Sequence, residues 1–409
     1  MKRILCSLLI VVMLLSLLAG CQKKEQSITL DSSFVIVCAE ETGVVNQAAK
    51  SLQLSLAQKC GLELELVKEA PAGKKTITVA VDASLAEGAY RTRIVDGNLA
   101  IEAQSEQVMV FAMRDIRLNW LGQSTEPAIK GELLNKLSGT VDLANAPFLV
   151  LTQNIRYADD EGGNTVAQRA PRYNKLVTEY QPDLIFMQED NKLWSNICDI
   201  YLKDNYGFFG MFSSGPDAES IKGNRQAIFY RADRYEQLDS GYFWLSDTPD
   251  EAYSKLEGSK SIRHCTWALL KDNFTGKELL AINTHLDNST IEIRNFQLQV
   301  LLDRLGDKME QYPTVFCGDF NAVPDEPAYA TMTGRMSDPH VSATTKLSTI
   351  EITCDKYGTW ETPKRIDYMF YNDQLVANKY RVMTDTYQDN TGCYISDHYG
   401  VTTEYSFAK

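Results

Sequence analysis

The spacing of apolar positions changes several times along the chain, and each change marks an element. Phe34-Val35-Ile36-Val37 predicts a strand. Val45, Ala48, Leu52 and Leu56 recur at helical spacing within 44–59 and stop before Gly61, which predicts a helix with a glycine stop. The alternating runs 62–66 and 75–81 predict half-buried strands. Two strand-like runs, 90–95 and 99–101, flank Asp96-Gly97 and predict a hairpin with a tight turn. A closing helix is expected over 108–121. Glu126-Pro127, Gly131 and Ser138-Gly139 read as a connection over 126–145.

Beyond 146 the pattern becomes short, nearly continuous apolar runs, as expected of strands buried on both faces. Each run ends in a polar side chain. Phe148–Gln153 ends in Asn154, and Leu184–Gln188 ends in Glu189 after a helix predicted from Arg169 to Tyr180 and broken at Gln181-Pro182-Asp183. Leu279–Thr284 ends in His285, and Thr314–Gly318 ends in Asp319 with Asn321 just beyond. Asp367 lies within the run 365–370, and Asp397-His398 precedes the last strand. Strand ends of one sheet share an edge, where α/β proteins build their sites. Oxygen donors without a cysteine cluster point to Mg²⁺ or Mn²⁺ rather than zinc.

The first twenty residues read differently. Met1-Lys2-Arg3 precedes an apolar stretch from Ile4 to Leu18, then Ala19-Gly20-Cys21. This predicts a secretory signal over 1–20. Leu17-Leu18-Ala19-Gly20-Cys21 resembles the bacterial lipoprotein box, which implies lipidation of Cys21 and an extracytoplasmic, membrane-anchored protein. Of nine cysteines, seven remain after Cys6 and Cys21 are set aside, none in a Cys-x-x-Cys pair, so buried free thiols are the expectation.

Charge narrows the partners. The chain carries 41 Lys+Arg against 54 Asp+Glu, a formal −13. Residues 146–409 alone hold 26 against 38, or −12. Such a balance argues against coating long nucleic acid through counterion release, and leaves open a small phosphorylated substrate held by a metal.

Gln188-Glu189, Asn283-Thr284-His285-Leu286-Asp287, Gly318-Asp319-Phe320-Asn321, Arg365-Ile366-Asp367-Tyr368 and Ser396-Asp397-His398, in this order, resemble the endonuclease/exonuclease/phosphatase (DNase-I-like) superfamily over 147–406. Asn154–Tyr157 and Tyr242–Pro249 are similar to a bacterial branch related to deadenylase-like phosphatases. The resemblance implies a four-layered α/β sandwich and metal-dependent phosphoester hydrolysis. By the same resemblance, Glu189 is the main metal ligand, with Asn154 beside it and Asp397 as a further metal-site carboxylate. Asp319 orients or deprotonates the attacking water, and Asn321 orients phosphate. His398 lies near the scissile phosphate with Asp367 as partner, and His285 stabilises charge on phosphoryl oxygens. The stretch Gly223-Asn224-Arg225-Gln226 departs from the family pattern, which has a Glu there. Arg156, Arg169 and Arg225 are candidates to hold phosphate, and Tyr157 to stack on a base or sugar. His264 and His340 lack such surroundings and read as core histidines.

The segment 21–125 resembles the small α/β domain that precedes the catalytic domain in several secreted glycosidases, which implies an accessory role with possible glycan contact. The expected organisation is therefore a leader over 1–20, an accessory domain over 21–125, a linker over 126–145, and a catalytic domain over 146–409 able to fold alone. Expected substrates are nucleotides, nucleic acid, phospholipid head groups or sugar phosphates. A glycan-binding surface lipoprotein on a degenerate phosphoesterase scaffold is the alternative, and the complete set of strand-end residues speaks against it.

Overall fold

Val45, Ala48, Leu52 and Leu56 form the buried stripe of helix α1 (Gly43–Cys60), which ends at left-handed Gly61 as its spacing predicts. The helix packs on a sheet built from β1 (Phe34–Val37), β2 (Leu66–Val67), β3 (Lys75–Val81), β4 (Ala89–Val95), β5 (Asn98–Ala103) and β6 (Ser138–Thr140), in the order β2-β1-β3-β5-β4-β6. The β4–β5 hairpin turns through Asp96 and Gly97, both at positive φ, as a primed turn requires. Helix α2 (Glu106–Asp115) is capped by Ser105 and continues as a π-helix over Ile116–Leu121. Two expectations change. The alternating run 62–66 keeps only Leu66 in a ladder, because this edge pairs with β1 for two residues alone. Ser138–Thr140, expected within the connection, is an edge strand on β4.

The computed structural model describes residues 28–121, 128–129, 137–215, 223–348 and 350–409. The leader, Cys21 and much of the segment 122–136 lie outside the described residues. Among the described residues no helix is long and apolar enough to cross a membrane.

The second domain has two sheets. The first runs β9 (Tyr206–Phe212), β10 (Arg225–Arg231), β8 (Leu184–Asp190), β7 (Phe148–Asn154), β18 (Gly400–Phe407), β17 (Leu375–Met383) and β15 (Thr345–Lys346). The second runs β11 (Tyr235–Trp244), β12 (His264–Asp272), β13 (Glu278–His285), β14 (Thr314–Asp319) and β16 (Asp367–Tyr371). Alternate residues of each strand face opposite ways, so one set fills the space between the sheets: Phe148, Val150, Leu184, Phe186, Leu279, Ala281, Val315 and Cys317. The other sets meet helices. Leu151, Ile185 and Met187 pack on α3 (Val166–Tyr180) and α4 (Lys192–Leu202), whereas Leu280, Ile282 and Phe316 pack on α5 (Ile291–Gln311) and α6 (Pro327–Thr333). The result is the DNase-I-like four-layered α/β sandwich.

The first domain is seated on α3 through buried polar groups. Ser51 donates to the Glu179 carbonyl and Ser55 to the Glu179 carboxylate, which Tyr387 also reaches at 2.7 Å. Arg114 of α2 donates to the Gln181 carbonyl and lies 2.8 Å from Asp183. Asp183 in turn binds the Leu149 N–H and pairs with Arg231 and Arg234 at the start of β7 and β8. Unsatisfied, such buried groups would be costly, so the two domains share one polar seam.

Candidate active site

The two sheets bring the polar strand ends to one edge. His285 stands opposite Asp319 in the β13–β14 register, and Asp319 opposite Asp367 in the β14–β16 register, giving a row of three across the second sheet. Asn154 of β7 faces this row from the first sheet. At three of these ends the backbone turns left-handed: Arg156, Glu189 and Asn321 have φ of 57°, 64° and 49°. Non-glycine residues in that region store roughly 1 kcal/mol or more of strain and cluster at functional sites. For Glu189 the cause is a bulge. The β8–β10 register slips between Met187 and Asp190, so two residues oppose one and the carboxylate is re-aimed.

Hydrogen bonds then lock the groups together. Asn154 Nδ2 donates to Glu189 Oε1 at 3.2 Å and to Asp319 Oδ2 at 2.9 Å, joining the two sheets. Glu189 Oε2 accepts the Tyr157 N–H at 2.9 Å. Asp319 lies 3.4 Å from His285 Nε2 and 4.0 Å from His398 Nε2. His398 Nδ1 sits 2.9 Å from Asp367 Oδ2, which also accepts from Thr353 Oγ1 at 2.6 Å. Asn321 Nδ2 lies 3.0 Å from His285 Nε2 and donates to the Leu286 carbonyl. Asp397 Oδ2 lies 3.9 Å from Arg156 Nε.

The electrostatics divide the two histidines. Burial opposes charge on His398, but the Asp367 carboxylate overrides it and holds the imidazole well above its usual pKa. His285 is held well below, first by burial and then by Arg263. Burial and then Asp367 raise Asp319. Burial raises Asp397, and Glu189 adds to this against His398 and Arg156.

Glu189, Asp319, Asp367 and Asp397 thus crowd one edge, and Asp367 Oδ1 is buried without a hydrogen-bond partner. This excess of hard oxygen donors fits a divalent cation such as Mg²⁺ or Mn²⁺. Ligand atoms of Asp319, Asp367 and His398 lie within 4.8 Å of one another. His398 and Asp367 pair through Nδ1 and Oδ2, a dyad beside the Asp319 carboxylate that leaves Asp367 Oδ1 without a partner. Glu189 and Asn154, 3.2 Å apart, and Asp397 near Arg156 are further groups at this edge that could hold a cation.

The three arginines part company. Arg156 stays at the rim, paired with Asp160 at 2.9 and 3.0 Å. Arg169 does not reach it: the fully buried guanidinium donates to the carbonyls of Ile155, Arg156, Ala158, Asn164 and Ile395, which leaves no donor for a phosphate. Arg225 is likewise buried, paired with Asp190 and Asp199 and packed against Phe208 and Phe229. Tyr157 is 47% exposed beside Arg156. His264 lies on β12 beside the His285 end of β13, one residue beyond the Cys265–Thr284 pair, and is buried with its Nε2 2.6 Å from the Met211 carbonyl, whereas His340 is placed elsewhere.

Sequence reasoning missed four contributors. Thr353 braces Asp367, and Tyr357 donates to Asp160 at 2.9 Å. Arg263, 3.6 Å from Asp287, supplies positive charge behind the cluster. Only Asp287 had a visible signal, its place in the run after His285.

The sequence profile of the Endonuclease/Exonuclease/phosphatase family matches residues 151–398. Nocturnin of Drosophila melanogaster is 27% identical over 246 residues, covering 56% of this chain; the chain spans only 35% of that relative's length. Among solved structures, an endonuclease/exonuclease/phosphatase from Bacteroides vulgatus is 25% identical with a TM-score of 0.59, covering 64% of this chain and 100% of its own. A mannosyl-6-phosphatase of Bacteroides thetaiotaomicron is 25% identical with a TM-score of 0.58, again covering 64% and 100%. With well over half of its length matched, and with the row His285, Asp319, Asp367 facing Asn154 and Glu189 at one sandwich edge, this chain belongs to the endonuclease/exonuclease/phosphatase family.

Proposed function

We propose that the protein is a divalent-metal-dependent phosphoesterase, held outside the cell membrane by a lipidated Cys21. The observation that carries the hydrolytic reading is the placement of Asp319. It is bound by Asn154 from the opposite sheet and stands between His285 and the His398–Asp367 dyad. Glu189, Asn154 and Asp397 would hold the cation. When bound, it neutralises phosphate charge and acidifies a coordinated water. Asp319 takes the proton of the attacking water as the new P–O bond forms. Asn154 and the Asn321 N–H hold that carboxylate in place. His398, braced by Asp367, donates to a phosphoryl oxygen as the P–O ester bond breaks, and the departing alkoxide takes its proton from solvent and leaves as the alcohol. Asn321 and His285 complete the wall against which the phosphate is oriented.

A sugar phosphate is the substrate class this reading favours. The 25% identical Bacteroides structure named as a mannosyl-6-phosphatase supports it, as does the net-acidic chain, which disfavours long nucleic acid. Hydrolysis of a chromogenic phosphoester with Mg²⁺, abolished by EDTA and restored by Mg²⁺, is the expected result. Equal turnover in EDTA would remove the metal from the reading. For the anchor, Cys21→Ser should move the protein out of the membrane fraction; full retention after a salt wash would contradict it.

A further inference from the structure

One loop at the rim of the site carries charge that the hydrolytic reading leaves unused. Residues 353–365 leave the dyad and return to it. Thr353 binds Asp367, Cys354 bridges His398, and the N–H groups of Asp355 and Lys356 donate to the Asp397 carbonyl at 3.3 and 3.1 Å. Tyr357 reaches across to Asp160, the partner of Arg156. The turn is strained: Lys356 and Tyr357 are consecutive non-glycine residues at φ 51° and 62°. Such conformations persist where the surroundings over-determine them, and ligand clamps are a common place.

At its tip the loop presents Trp360 with two lysines against its ring. Lys356 Nζ lies 4.5 Å from the ring centroid and Lys364 Nζ 5.1 Å. Both lysines are exposed, and no carboxylate of the described residues pairs with either. The other cations of the site are engaged, Arg156 with Asp160 and Arg263 with Asp287. Each ammonium lies over the ring without a carboxylate partner, so an anion seated beside them meets positive charge that the protein leaves unpaired.

We infer that Lys356, Lys364 and Trp360 form a second anion subsite beside the hydrolytic centre, which selects phosphoesters bearing another phosphate or carboxylate group. This rests on the phosphoesterase reading and names the substrate class more closely. The reacting phosphate sits at the row of carboxylates and histidines, and the substrate's other anionic group meets the lysine pair. A sugar or nucleoside carrying two phosphates has that chemistry.

The test uses the full chain with bis-para-nitrophenyl phosphate as reporter substrate and excess Mg²⁺. Inhibition by fructose bisphosphate is compared with inhibition by fructose monophosphate. The wild-type protein should prefer the bisphosphate roughly tenfold, the scale of two partly solvated charge contacts, and the preference should fall with added salt. In Lys356→Ala/Lys364→Ala the preference should collapse towards one. Lys271→Ala, at an exposed position of β12, should retain it. An equal preference in wild type and double variant overturns the subsite and leaves hydrolysis standing. If the reporter is not turned over at all, the phosphoesterase reading fails instead. Calorimetric titration of the same two sugars then decides the subsite by the same ratio.

Discussion

Clusters of charge lie beside both ends of strands β7 and β8, and the two clusters are built to opposite rules. At their starts, Asp183 is surrounded by Arg114, Arg231 and Arg234, with Arg234 also paired to Asp272. Burial alone would raise the Asp183 pKa, but the three guanidiniums hold it down at about 2. At the other end Glu189, Asp319, Asp367 and Asp397 outnumber their cations, and burial with mutual repulsion raises Asp319 and Asp397. One cluster is neutralised and holds the domains together. The other is left short of positive charge, which is what a cation-dependent site requires.

The largest expected effect of breaking this contrast is on chemistry. Asp319→Asn should lower turnover by about a thousandfold or more, with a melting temperature equal to or above wild type, because it removes one of several crowded negative charges. A large drop in melting temperature with activity retained would reverse the assignment of the two ends. Next comes Arg114→Met, which leaves Asp183 short of one partner. A loss of about 2–3 kcal/mol is expected, below the usual range for a broken buried pair because Arg231 and Arg234 remain. Urea unfolding measures it, with turnover of the folded protein unchanged.

The smallest effect is on acid stability. The Asp183 pKa is lower folded than unfolded, so its contribution is present above pH 4 and is lost as the pH falls towards 2. The shift corresponds to about 2 kcal/mol. Asp183→Asn should be less stable than wild type at pH 5 and should show a shallower loss between pH 4 and pH 2. Parallel acid limbs for the two proteins would show that Asp183 is not the titrating group.

The active end was the more legible of the two in sequence, for a physical reason. His285 and Asp319 close apolar runs, Asp367 lies within one and His398 precedes one, so position relative to a strand locates them without knowledge of neighbours. The structural end was hidden. Asp183 reads locally as a helix breaker after Gln181-Pro182, and its partners are contributed from positions 114, 231 and 234 by three separate elements. The arginines failed in the same way. Arg169 is consumed by carbonyls from 155 to 164 and by Ile395, and Arg225 by Asp190 and Asp199, none of which spacing along the chain reveals. The run 62–66 alternates correctly, yet only Leu66 joins the ladder, which continues at Val67. Glu189 was found as a strand end, but the bulge that aims its carboxylate at Asn154 belongs to the β8–β10 register.

Activity against Mg²⁺ concentration for Glu189→Gln beside Asp319→Asn tests the central claim most directly. Glu189→Gln keeps size and one acceptor oxygen but loses the charge that holds a hard cation. Its activity should fall by about a hundredfold or more at low Mg²⁺ and recover in part as Mg²⁺ rises, whereas Asp319→Asn should stay inactive at every concentration. A Glu189→Gln protein with wild-type activity and a wild-type Mg²⁺ response would contradict the account.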